Sequence, residues 1–78
     1  MSNVNEFANT IRNRRAFLKY TQADMAELTG LTDRTIRSIE KGEHSTTLQS
    51  WLKVLDILGL EMNLQVKPLS DEKGKSVL

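Results

Sequence analysis

The chain has no cysteine among its 78 residues, so neither a disulfide nor a thiolate metal site can staple it. Its one histidine, His44, follows Gly42 in a polar stretch and reads as a loop residue rather than a metal ligand or a catalytic base. No apolar run approaches the length of a membrane span, and the first residues lack the apolar core of a secretory leader. A Gly-rich phosphate loop, a paired-acid site and a nucleophile–base constellation are all missing, which leaves an enzyme few combinations. The net charge is only +1, a value that does not by itself point to nucleic acid. These absences lead us to expect one small cytoplasmic domain with a modest core, no catalytic residues, no cofactor and no metal.

The stretch that organises the rest is Gln22–Lys41. Met25, Ala26 and Leu28 share a helical face that Gly30 brings to a stop, because glycine reaches positive φ without the steric cost other residues carry. Leu31 follows as an apolar plug. Thr32 can cap a second helix with Ile36 and Ile39 inward, and Gly42 can end it. A short helix, a glycine turn and a second helix make a helix-turn-helix.

The outer face of the second helix carries Asp33, Arg34, Arg37, Ser38 and Lys41 and no large apolar residue. A helix fits the DNA major groove, where side chains of this kind read base edges. The charge distribution agrees. Between Arg12 and Lys41 lie seven basic residues (Arg12, Arg14, Arg15, Lys19, Arg34, Arg37, Lys41) against four acids (Asp24, Glu27, Asp33, Glu40), a local basic footprint.

Upstream, Val4, Phe7, Ala8, Ile11 and Leu18 recur at helical spacing and predict a first helix from about Asn5 to Leu18. Arg15 falls on its apolar side and needs a partner, since an unpaired buried charge is very costly; Glu40, on the inner edge of the later helix, is the best candidate. Arg12 and Arg14 point elsewhere, either to phosphate or simply to solvent. Thr21-x-x-Asp24 resembles a capping box, which makes Gln22 the opening residue of a helix whose positive end favours phosphate.

Downstream, Thr47 can cap a fourth helix, Leu48–Leu58, closed by Gly59, with Leu60 packing back on Leu55. Leu48, Trp51, Leu52 and Leu55 form its core stripe. Val54, Ile57 and Leu58 widen that stripe past one face, which suggests contact with a second subunit. The period then becomes two: Leu60, Met62, Leu64 and Val66 alternate with Glu61, Asn63, Gln65 and Lys67 up to Pro68. This is either a strand that pairs with its copy across a two-fold axis, or an extended segment over the core. Residues 1–67 are thus expected to form the domain, with the strand at about 61–67, and residues 68–78 a flexible tail in which Val77-Leu78 can serve as a docking hook.

These residues resemble the Cro/C1-type helix-turn-helix family, also called the XRE family. The resemblance runs from Ile11 to Leu60 through Ile11-Arg12-x-x-Arg15, Thr21-Gln22-x-x-x-Ala26-x-x-x-Gly30, Thr32-x-x-x-Ile36-x-x-Ile39-Glu40-x-Gly42 and Leu52-x-x-Leu55-x-x-Leu58-Gly59-Leu60. It implies a mainly α, lambda-repressor-like domain of four to five helices. The continuation Leu48–Val66 is similar to HipB-type antitoxins, in which the strand pairs across a homodimer, the protein represses its own operon, and a HipA-type kinase toxin is the partner. By resemblance, Gln22 contacts phosphate; Thr32, Asp33, Arg34 and Ser38 approach bases; Arg15 and Glu40 pair; and Gly42 and Glu43 form a turn near backbone phosphate.

With the residues read above, Arg37 joins the base-reading set, Arg12, Arg14 and Lys41 join the phosphate set, and Val54, Ile57, Met62, Leu64 and Val66 form the dimer set. The sequence departs from the family at Lys19, where glycine is common, at Arg14, where many members are apolar, and at Asp33, where amides are common. The expected partners are a palindromic operator duplex, a second copy of the chain and a HipA-like kinase. The competing expectations are a stand-alone prophage or chromosomal regulator and a protein-interaction adaptor that has lost DNA binding.

Overall fold

The computed structural model describes residues 4–43, 45–66 and 68. Among them are four helices: α1 (Val4–Phe17), α2 (Gln22–Thr29), α3 (Asp33–Lys41) and α4 (Leu48–Leu58). Their boundaries follow from local chemistry. Threonine caps three of them: the hydroxyls of Thr21, Thr32 and Thr47 accept from the N–H groups of Asp24, Thr35 and Ser50, satisfying donors that the first helical turn leaves free. At α2 the cap is reciprocal, because the Asp24 carboxylate also accepts the Thr21 N–H at 2.8 Å.

The last three helices end on glycines in the left-handed region. After α4, Leu60 N–H returns to the Leu55 carbonyl at 2.9 Å and Gly59 N–H to Asp56, so the chain turns back and Leu60 packs against the core. The end of α1 has the same bonding, with Tyr20 N–H to the Arg15 carbonyl. Its left-handed residue, however, is Lys19 at φ 64°, so the departure from glycine is absorbed by a strained backbone rather than by a different turn.

The core is one cluster of Ile11, Met25, Ile36, Ile39, Trp51, Val54, Leu55 and Leu58. Phe7 covers the edge of this cluster, its ring meeting Trp51 edge to face with centroids 6.5 Å apart. Leu28, expected inward with Met25 and Ala26, is half exposed.

The fourth helix is rotated from its expected setting. Val54, assigned to the dimer contact, is 1% exposed in the core, whereas Leu48 and Leu52, assigned to the core stripe, are 61% and 46% exposed. Ile57 is partly buried against the core. Beyond Leu60, residues 61–66 carry no regular secondary structure. A strand needs a neighbour to bond, and none stands beside this segment among the described residues. Leu64 and Val66 are 94% and 98% exposed. His44 and the tail from Leu69 lie outside the described residues. No helix among those described is long and apolar enough to cross a membrane.

Candidate nucleic-acid interface

α3 divides cleanly. Ile36, Ile39 and Glu40 are buried, while Asp33, Arg34, Arg37 and Lys41 are exposed on the other side. Ser38 is half-buried between them. Thr32 is exposed, but its hydroxyl is bonded within the cap, to the Thr35 N–H and the Thr35 hydroxyl. The exposed surface of the helix is therefore two guanidiniums and an ammonium, with one carboxylate at the N-terminus. Asp33 there complements the helix dipole.

Behind this face lies a polar network around one buried carboxylate. Glu40 is 3% exposed. Arg15 donates to it through two nitrogens, Nε to Oε2 at 2.6 Å and Nη2 to Oε1 at 3.0 Å, the fork geometry that suits guanidinium to carboxylate. Arg15 Nη1 also donates to the Tyr20 carbonyl at 2.8 Å. Gln22 Nε2 donates to Glu40 Oε1 at 3.2 Å. One carboxylate on α3 thus gathers α1, the turn after it and the first residue of α2.

The residues assigned to phosphate are not one surface. Arg12, although exposed, donates to the Glu40 carbonyl and to Asn9 Oδ1, so its guanidinium holds the end of α3. Arg14 donates from Nε to the Leu58 carbonyl at 2.9 Å and lies over the Phe17 ring, 5.4 Å from its centroid. It closes the end of α4, a task unrelated to the α3 face. The N–H groups of Gly42 and Glu43 are spent on the Ile39 and Ser38 carbonyls, which leaves this turn no free donor at either residue. Lys41 remains exposed on α3, and Gln22 stays half-buried at the mouth of α2.

Two contributors had no signal in the sequence. Asn5 sits against Gly42, where an added Cβ would lie 2.7 Å from Asn5 Oδ1, so glycine there serves close approach as well as positive φ. Tyr20 contributes its carbonyl, not its ring, to Arg15. Among the described residues no cluster of acids and histidines could hold a metal ion.

A small cap-defined helix pair with a cationic outer face, tied to its scaffold by a buried ion pair, defines a helix-turn-helix DNA-binding module. The family profile HTH_3, helix-turn-helix, matches residues 11–65, and the chain belongs to this XRE-type family of DNA-binding regulators. Among solved structures it is similar to a chain of the HipA-HipB-O2-O3 complex, at 28% identity and a TM-score of 0.77, over 87% of this chain and 96% of that one. The HipB-O4 20mer complex gives the same values. The restriction-modification controller protein C.AhdI from Aeromonas hydrophila is similar at 26% identity and a TM-score of 0.66, over 74% and 88% of the two chains. No curated protein matches the sequence.

Proposed function

We propose that this protein is a homodimeric, operator-binding transcriptional repressor of the HipB kind, which controls its own operon and pairs with a HipA-like kinase toxin. The observation that carries the reading is α3. Its exposed side is cationic and free of large apolar groups, while its inner side is locked by Ile36, Ile39 and Glu40. In this reading α3 enters the major groove. Arg34 and Arg37 read guanine edges, with Asp33 and Ser38 as neighbours at the base edges, and Lys41 and Gln22 touch the backbone.

Similarity over most of the chain to structures of HipB with its operators and with HipA supports both partners. Dimerisation is supported by Met62, Leu64 and Val66, which alternate along a segment with no strand partner among the described residues, and by the exposed Leu48 and Leu52 on α4. Two such segments laid antiparallel would satisfy each other's backbone and bury this apolar surface.

The test is a titration of the protein with duplex from its own upstream region and with random duplex at two salt concentrations. The reading expects tighter binding to the first and a steep loss of affinity for both as salt rises. Equal, weak and salt-insensitive binding would contradict it and favour an adaptor. A stand-alone regulator is the second reading, supported by likeness to the C.AhdI controller. Co-purification from the native host separates the two, because only the antitoxin brings down a kinase.

A further inference from the structure

We infer that Glu40 is a positioning residue for DNA backbone contact, acting through the Gln22 side chain; the inference rests on the DNA-binding reading above. The geometry is specific. A carboxylate only accepts hydrogen bonds, whereas the end of a glutamine side chain can turn either its oxygen or its nitrogen to a neighbour. Glu40 Oε1 accepts from Gln22 Nε2 at 3.2 Å, and this fixes which way the Gln22 amide faces.

The carboxylate is itself immobile. It is 3% exposed and gripped by two Arg15 nitrogens, and Arg12 holds the carbonyl of the same residue. One N–H of Gln22 is therefore spent on Glu40, which leaves the other as a donor on the residue that opens α2. There the first backbone N–H groups have no carbonyl one turn back, while the Asp24 N–H is taken by the Thr21 hydroxyl. The side-chain donor and the free end of α2 are thus held together before any phosphate arrives, which saves the cost of ordering the glutamine on binding. Because Glu40 belongs to α3, the same carboxylate sets the backbone-contacting donor in register with the Arg34 and Arg37 face.

The experiment is a two-by-two set: the parent, Glu40→Gln, Gln22→Ala and the double variant. Each is titrated with random-sequence duplex at fixed low salt and at a temperature where melting curves show all four folded. Random duplex is the right probe because backbone contacts are independent of sequence. If Glu40 acts through Gln22, Glu40→Gln weakens binding about three- to tenfold in the parent and less than about twofold in the Gln22→Ala background. The same loss in both backgrounds, or no loss in either, overturns the inference and leaves Glu40 a purely structural residue.

A second readout needs no variant. In the wild-type protein the Gln22 side-chain N–H groups should exchange with solvent more slowly than those of the exposed Gln65, and equal exchange overturns the inference as well. Failure of the wild type to bind any duplex would instead remove the DNA-binding reading itself, so the two failures are distinguishable.

Discussion

Arg15 joins α1 to α3 with two hydrogen bonds to Glu40 and holds the turn after α1 with a third, to the Tyr20 carbonyl, and it does so from a position only 19% exposed. Removing either it or Glu40 leaves the other charge without its partner in a nearly dry site. Arg15→Ala and Glu40→Ala should each destabilise the fold by about 3–5 kcal/mol, with the double variant much less destabilised than the sum. Thermal or urea melts of the three variants measure this, and simple additivity would contradict the pairing.

Lys19 offers the opposite sign. Its φ of 64° is a conformation in which a Cβ crowds the backbone, so Lys19→Gly should raise stability by about 0.5–1 kcal/mol, the strain relieved outweighing the extra freedom of the unfolded chain. An unchanged or lowered midpoint in urea would show that the turn carries no strain.

The contrast between Arg15 and Arg14 shows what a sequence can express. A charge on an apolar stripe demands an opposite charge, and only a few acids compete. Arg14 instead bonds a main-chain carbonyl on another helix, Leu58, and every residue has a carbonyl, so nothing marks the partner.

At the scale of elements, boundaries are the most legible feature, because caps are local: Thr21, Thr32 and Thr47 sit where their hydroxyls meet N–H groups three residues on. The rotation of α4 was not legible. Seven of its eleven residues are apolar, so two neighbouring stripes satisfy the helical period almost equally, and only the shape of the surrounding core selects Trp51, Val54, Leu55 and Leu58 over Leu48 and Leu52.

Two of the three helix-ending glycines measure the backbone strain of the left-handed turn. An alanine at Gly30 meets nothing within 4 Å, and one at Gly42 comes too close only to the Oδ1 end of the exposed Asn5 side chain, which can turn aside, so each should cost the backbone penalty alone, about 1–2 kcal/mol. Melts of both variants check this; a clearly larger loss at Gly42 would show that Asn5 does not turn aside. The base-reading prediction also belongs to an element. Arg34→Ala should cost about 1–3 kcal/mol at the cognate site and relax preference at one base pair per half-site, as read by titration against single-substitution duplexes.

For the whole molecule, the proposed dimer raises the question of how its two α3 helices are spaced. The alternation from Leu60 to Val66 reads as a strand pattern, but the described residues offer it no partner strand, and Leu64 and Val66 lie in solvent. Leu64→Pro removes a ladder donor and should give folded monomers with poor affinity for a palindrome, whereas Leu64→Val should still dimerise. Sedimentation, with circular dichroism as the folding control, separates these outcomes, and a folded Leu64→Pro dimer would exclude the segment from the contact.

A two-fold axis through the paired strands would set the α3 helices about 34 Å apart, one turn of DNA, or a multiple of that distance. The most direct test of the whole account is therefore selection of binding sites from a random duplex library, run in parallel with the wild type and with Arg34→Ala. The wild type should enrich a palindrome with half-sites about 10 base pairs apart, centre to centre, or a multiple of that, and Arg34→Ala should enrich the same palindrome with one guanine per half-site no longer required. Enrichment of a single unrepeated site, or of the same motif by both proteins, would contradict it.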